Sequence, residues 1–321
     1  MRFLIAGGSG LIGRRLCQAW VTEGHHVTVL TRNPDRARRR LPVGVDLVVW
    51  DPGRTASAAD PTLVDALRGM ETVVNLAGAS IGGWPWTPRR KRAILESRLA
   101  VTNAIVDAIG ALPAGERPNT LINASGIDVY GDRRDREIDE ESPPGDTFLA
   151  RVAVAWEAAA RRAEELEVRV VLCRQALVVA RDALAFRLLV LPFRLFVGGR
   201  LGSGEQPFTW IHLDDVVGLY GRAARDSSIS GALNLVAPEV LPERDVARII
   251  GRVLGRPAWS PAPAALLRLL LWGQADLLLH GRHAVPARAI AAGYRFRFTT
   301  LEPAVRDALG RPLPAVRPAH R

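Results

Sequence analysis

This chain predicts an α/β fold: a parallel sheet wound on both faces by helices, with a smaller appended lobe. Three observations carry that reading. Short runs rich in Val, Ile and Leu alternate with amphipathic stretches of helical period from Arg2 to Val236. The run from Arg169 to Val179 is apolar almost throughout, as a parallel strand covered on both faces is. The first apolar run breaks into Gly7, Gly10 and Gly13 and then opens a helical pattern.

Phe3, Leu4 and Ile5 form the first strand. Gly7 then permits a tight turn, Gly10 lets phosphates approach the backbone, and Gly13 lets helix pack on strand. Together with Ser9, Leu11 and Ile12 they make a pyrophosphate cradle at a helix N-terminus. A second strand, His26 to Leu30, leads into Thr31-Arg32-Asn33-Pro34, where an adenosine ribose sits in such folds. An acidic residue there bonds the 2′-hydroxyl, whereas arginine accommodates a 2′-phosphate, so Arg32 points to NADP(H) by a preference of roughly 10- to 100-fold.

Residues 45 to 50 make a third strand ending at Asp51-Pro52, and Asp51 counts among the cofactor-binding residues. Asp60-Pro61 caps a helix over Thr62 to Arg68 that stops at Gly69. Glu71 to Gly78 is a strand whose last residues, Asn75, Leu76, Ala77 and Gly78, lie over the cofactor, because ligands in such sheets bind beyond the carboxyl ends of the strands. The irregular stretch 79–92, with Trp84 and Trp86, leads into a helix from Pro88 to Ile109. Arg98 on it either projects to the cofactor or belongs to a solvated basic face. Leu121 to Gly126 is a fifth strand running into Ile127 to Gly131. A polar, acidic loop from Asp132 to Asp146, a helix from Phe148 to Leu166 and the sixth strand, Arg169 to Val179, follow.

From Ala180 the pattern changes. Residues 183–206 are apolar and punctuated by arginines, Val216 to Ala224 is a helix, Ala232 to Val236 a last strand and Pro242 to Leu254 a helix. Ala264 to Leu279 is strongly apolar but short and broken by Arg268, Gly273 and Asp276, so it covers the lobe core or a partner surface and does not span a membrane. The expected division is a dinucleotide-binding domain of 1–180 and 206–236 with a substrate lobe of 181–205 and 237–321.

The formal net charge is +10, yet only Lys91 among the 43 basic residues is a lysine; the rest are arginines spread along the whole chain. That skew reads as a codon bias rather than a nucleic-acid footprint, since no basic face with interleaved aromatics stands out. Cys17 and Cys173 form no disulfide framework and read as reduced core thiols of a cytoplasmic protein. The glycines interrupt the only early apolar run, which argues against a secretory leader. His280 and His283 lack further ligands nearby in sequence, so no metal is expected.

With these pieces placed, the sequence resembles the extended short-chain dehydrogenase/reductases, whose nucleotide-binding domain is of Rossmann type. More narrowly it resembles their atypical epimerase-family, SulA-like subgroup, which carries its own C-terminal domain. The resemblance rests on GGSGLIG at 7–13, NLAG at 75–78, WTPRRKRAILESR at 86–98, FLARVAVAWEAAA at 148–160, LPFRLFVGGRLGSGEQPFTWIHLDD at 191–215 and GRHAVPARAIAAGYRFRF at 281–298. It implies NADP(H) on Gly7 to Gly13, its 2′-phosphate on Thr31 and Arg32, and further contacts from Asn75, Leu76, Arg98 and the Arg174-Gln175 pair. Arg174-Gln175-Ala176 stands where Arg-Thr-Gly is expected, and Ala6 where threonine is usual.

Ordinary members use a tyrosine as acid/base, a lysine four residues on to lower its pKa, and an assisting serine. Here Phe148 and Val152 stand at the first two positions, and four residues beyond Tyr130, Tyr220 and Tyr294 stand Arg134, Ala224 and Phe298. Lys91 cannot supply that spacing. Ser125 fits the serine position and also counts as a cofactor contact, Tyr130 is the nearest phenol, and Asp128 and Glu157 are the nearest carboxylates. His212 reads as a hydrogen-bonding residue of the fold.

The expected function is an NADP(H)-dependent oxidoreductase or epimerase-like enzyme that transfers hydride to or from a small substrate. Ser125 would orient the reacting oxygen and Tyr130 would donate the proton, while Arg187, Arg194 and Arg200 would suit an anionic substrate. The alternative is a non-catalytic NADP(H)-binding sensor or scaffold. Neither nucleic acid nor membrane is expected as a partner, and the chain is expected to be a monomer or homodimer.

Overall fold

The structure is a computed structural model and describes residues 1–53, 59–83 and 85–312. Trp84 and residues 313–321 of the expected lobe lie outside the described residues. The first half of the chain runs β1 (Arg2–Ala6), α1 (Leu11–Thr22), β2 (His26–Thr31), α2 (Pro34–Arg38), β3 (Val45–Val49), α3 (Pro61–Leu67), β4 (Thr72–Asn75), α4 (Pro88–Gly110), β5 (Thr120–Gly126), β6 (Arg133–Ile138) and α5 (Phe148–Arg161). The second runs β7 (Arg169–Gln175), β8 (Leu177–Val179), α6 (Leu184–Arg194), β9 (Pro207–Phe208), β10 (Trp210–His212), α7 (Leu213–Arg225), β11 (Gly231–Leu235), β12 (Leu241–Pro242) and α8 (Glu243–Leu254). It closes with α9 (Ala264–Leu271), α10 (Asp276–Leu279), β13 (Arg282–Ala284), α11 (Ala287–Ala291) and α12 (Leu301–Ala308).

Among the described residues a seven-stranded parallel sheet runs in the order β11-β7-β5-β4-β1-β2-β3. The order reverses beside β1, so the crevice at the carboxyl ends of β1 and β4 lies at the switch point where such sheets bind ligands. One face packs α1 and α7 on the sheet through Leu16, Trp20, Leu219 and Tyr220; the other packs α3, α4 and α5 through Leu63, Ile105, Ile109 and Ala160. Three helices start alike, with proline at their first position and a side-chain acceptor before it: Asn33 takes the Arg36 N–H at 2.9 Å, Asp60 the Thr62 N–H at 2.9 Å, and Thr87 the Arg90 N–H at 3.2 Å.

The chain departs from the sequence expectations in four places. The acidic loop after Tyr130 contains β6, which pairs in parallel with β13. The sixth strand ends at Gln175; beyond Ala176 the chain leaves the main sheet as β8 and pairs with β10. Residues 284–292 do not join a separate lobe, since Ala284 and Ala289 are buried in the core of the main sheet. Finally, α9 buries none of its residues, so it does not cover the lobe core. That core is built by α6, α8 and α12 from Phe186, Val190, Phe193, Val246, Ile250 and Val305.

Candidate functional site

The glycine turn is forced by backbone contacts. Gly7 has a φ of +83°, and a Cβ on it would lie 2.9 Å from the Leu76 carbonyl carbon; a Cβ on Gly13 would lie 2.5 Å from the Gly8 Cα. These close approaches press α1 against β1 and leave a shallow floor at the carboxyl edge of the sheet. Gly10 opens α1 with no side-chain cap, and no acidic residue stands in the first turn, so the N–H groups at this end of the helix are left for an outside anion. Beyond β2, Arg32 is exposed and makes no ion pair among the described residues. Thr31 Oγ1 accepts the Asn33 N–H at 3.2 Å and so shapes the turn on which Arg32 stands. Asp51 turns its carboxylate onto the Gly53 N–H at 3.1 Å.

The opposite wall is the end of β4. Asn75 is fully buried: its Nδ2 donates to Thr102 Oγ1 at 2.9 Å and to Asn123 Oδ1 at 2.7 Å, and its Oδ1 accepts the Ala77 N–H at 3.2 Å. Its side chain therefore shapes the turn through Leu76, Ala77 and Gly78 from beneath rather than reaching into the crevice. Arg98 lies along Gly78, whose absent Cβ would fall 3.0 Å from Arg98 Cγ. Its Nη1 donates to the carbonyls of Ala79 at 3.0 Å and Ile94 at 2.8 Å, and its guanidinium stands 5.0 Å from the Trp156 ring. Burial draws its pKa down to about 10, with the charge of Asp128 opposing and that of Arg90 adding to the shift.

Below this wall runs a buried polar chain. Ser125 Oγ donates to Glu157 Oε1 at 2.7 Å, and Arg174 clamps the same carboxylate through Nε at 2.9 Å and Nη2 at 2.8 Å. Arg174 Nη1 donates to the Tyr130 hydroxyl at 2.9 Å, and that hydroxyl donates to Asn234 Oδ1 at 2.7 Å. Burial by itself would lower the Arg174 pKa, but the hydrogen bonds and charge of Glu157 outweigh it and hold the guanidinium charged. Burial likewise pushes the Tyr130 phenol above its ordinary value.

Two expectations are corrected here. Tyr130 is fully buried with its proton committed to Asn234, so the phenol has no route to a substrate. The Arg174 side chain is committed to Glu157 and Tyr130, so of that pair only Gln175 keeps an uncommitted group, its Oε1 being buried without a hydrogen-bond partner among the described residues. Arg187, Arg194 and Arg200 are exposed. His212 acts within the fold: it caps α7 by accepting the Asp214 N–H at 3.2 Å.

The structure also brings forward a group that spacing alone does not find. Lys91, on the first turn of α4, places its Nζ 5.2 Å from the centre of the Phe148 ring at the start of α5, and Trp86 meets the same ring edge-on at 5.5 Å. The one primary amine on any side chain thus stands at Phe148, the position where the resemblance implies a tyrosine, reached across two helices. Its signal in the sequence is compositional: it is the one lysine where every other basic residue is arginine.

A tight glycine turn, a bare helix N-terminus, a free guanidinium beyond the second strand and an orphaned amide oxygen at the end of β7 fit a phosphorylated dinucleotide, which defines a dinucleotide-binding α/β protein. Residues 3–235 match the model of the NAD dependent epimerase/dehydratase family, and residues 262–308 match a domain of unknown function, DUF1731. The chain belongs to that epimerase/dehydratase family. It is 36% identical over 306 residues to the chloroplastic epimerase family protein SDR39U1 homolog of Arabidopsis thaliana, covering 95% of this chain and 86% of that one. The crystal structure of human epimerase family protein SDR39U1 (isoform 2) with NADPH superposes with a TM-score of 0.84 at 32% identity, covering 97% of this chain and 99% of that one. The nucleoside-diphosphate sugar epimerase from Corynebacterium glutamicum superposes with a TM-score of 0.75 at 30% identity, covering 97% of this chain and 58% of that one.

Proposed function

We propose that this protein binds NADP(H) across the carboxyl edge of the sheet and uses it to move hydride to or from a small substrate, a carbonyl compound or nucleotide sugar held between that edge and the 181–205 and 264–280 segments. The observation that carries the reading is the uncapped start of α1 against Gly7 and Gly13, with Arg32 free beyond β2. The human relative's complex with NADPH and the nucleoside-diphosphate sugar epimerase neighbour support it. When bound, the nicotinamide supplies the hydride donor or acceptor. Gly7, Ser9, Gly10, Leu11, Ile12 and Gly13 hold the pyrophosphate, Thr31 and Arg32 the 2′-phosphate, and Gln175 offers its free amide oxygen to the nicotinamide side.

Ser125 gives its proton to Glu157 and therefore meets a substrate as a hydrogen-bond acceptor, suited to orienting a hydroxyl rather than polarising a carbonyl. Proton transfer falls to Lys91, because an ammonium can release and regain a proton where guanidinium cannot. Arg32→Ala should weaken NADPH binding about 10- to 100-fold and leave NADH binding nearly unchanged in a fluorescence titration. Lys91→Arg keeps the charge and loses the acid; in a screen of carbonyl and nucleotide-sugar substrates it should lower kcat by about 10²-fold or more with NADPH affinity intact.

The second reading, an NADP(H)-binding sensor or scaffold without turnover, is favoured by Phe148 and Val152 at the dyad positions and by the buried Tyr130. Full NADPH affinity with no turnover across that screen would select it.

A further inference from the structure

The geometry points to a second working surface, a docking face for an anionic lipid bilayer built by α6, α9 and the segments that tie them together. α6 exposes Leu184, Leu188 and Leu191 at helical spacing along one side, and the chain leaves it through the exposed Leu195, Phe196 and Val197. α9 exposes Leu266 and Leu269, the latter 72% accessible, and ends at Trp272, 68% accessible. The two helices are joined at both ends. At one, Ser260 N donates to the Gly198 carbonyl at 3.2 Å, Ala262 N to the Arg200 carbonyl at 2.9 Å, and Trp259 Nε1 to the Phe196 carbonyl at 3.0 Å. At the other, Leu184 reaches Gly82 while Gln274 Nε2 donates to the carbonyls of Ile81 and Gly83 at 3.1 Å each. α6 and α9 thus bracket one region of the surface, each carrying its own row of exposed apolar residues, and exposed apolar rows of that kind mark an interaction site.

The charge on this stretch selects the occupant. From Leu184 to Gly204 the charged residues are Arg187, Arg194 and Arg200, and from Leu254 to Ala275 they are Arg256 and Arg268; the nearest acids, Asp182, Glu205 and Asp276, stand just beyond the ends of these segments, Glu205 against Arg244 and Asp276 beside His280. A second copy of the same face would set arginine against arginine. An anionic bilayer instead pairs phosphate with the guanidinium heads while leucine and tryptophan enter the headgroup boundary, as interfacial amphipathic helices do. Among the described residues no helix is long and apolar enough to cross a membrane, so the protein would lie on the surface. The face adjoins the loop after β4 that borders the nucleotide crevice, which would let a substrate pass to the site from the lipid.

The test is co-sedimentation of the full chain with vesicles of phosphatidylcholine alone and of phosphatidylcholine mixed equally with phosphatidylglycerol. Binding to the mixed vesicles, at least tenfold stronger than to phosphatidylcholine and weakened several-fold by physiological salt, is the expected result. Leu188→Glu with Leu269→Glu should lower it about tenfold or more while NADPH binding is kept, and Arg187→Gln with Arg194→Gln and Arg268→Gln should remove its dependence on salt. The proposal is overturned by absence of binding to the mixed vesicles, by binding that survives the glutamate variant, or by a dimer in solution that the glutamate variant splits without any lipid binding.

Discussion

Glu243 is the carboxyl group whose surroundings oppose its charge most. It is buried at the start of α8 and accepts the Leu201 N–H at 2.8 Å, which seats the segment before β9. Burial raises its pKa to about 7; the Leu201 hydrogen bond and the charge of Arg200 oppose that rise without cancelling it. Folded and unfolded states bind this proton equally well below the unfolded value, so its contribution is whole there and is lost as pH climbs from about 4.5 to about 7. Glu243→Gln keeps an acceptor for Leu201 and carries no charge. It should match the parent at pH 4.5 and be more stable at pH 8 by up to about 3 kcal/mol, visible as a higher Tm in a thermal scan. Tyr130 gives a second expectation. Tyr130→Phe leaves Arg174 Nη1 and Asn234 Oδ1 each short of a partner and should cost about 1–3 kcal/mol in denaturant unfolding, with NADPH affinity unchanged.

At the scale of elements, the turn between β1 and α1 tolerates no side chain at Gly13, where a Cβ would meet the Gly8 Cα at 2.5 Å and the Gly7 carbonyl oxygen at 2.6 Å. Both obstacles are backbone and cannot swing aside. Gly13→Ala should push α1 off the strand, lowering Tm by several degrees and NADPH affinity about tenfold or more. This turn was legible because Gly7 and Gly13 each answer a steric demand that a residue with a side chain meets only under strain. The same holds for the helix starts, where proline follows a capping acceptor. What stayed hidden is what depends on partners far away in the chain. β6 reads as a charged loop, Arg-Arg-Asp-Arg-Glu-Ile, until β13 lies beside it. The break at Ala176 is marked only by the polar pair Arg174-Gln175, which reads equally well as part of one strand running on to Val179. Tyr130 looks the same in sequence whether its hydroxyl faces a ligand or Asn234, and Lys91 meets Phe148 only because α4 and α5 start side by side.

For the molecule as a whole, the crevice couples ligand to stability. NADPH at 100 times its Kd should stabilise the folded protein by about 2.7 kcal/mol, a rise in Tm that Arg32→Ala reduces at equal concentration. The interior also joins distant stretches. Val285 N donates to the Ile138 carbonyl at 2.9 Å, Asn234 Nδ2 to the Val285 carbonyl at 3.0 Å, and Gly281 N to Asp132 Oδ1 at 2.9 Å. Because β13 closes on a strand about 150 positions upstream, a nascent polypeptide would leave the ribosome with β6 still unpaired. The parallel sheet would be ready first, and the 132–138 segment would be covered only once residues beyond 280 had emerged. Chains stalled before that point should take up NADPH yet stay sensitive to protease between β5 and α5.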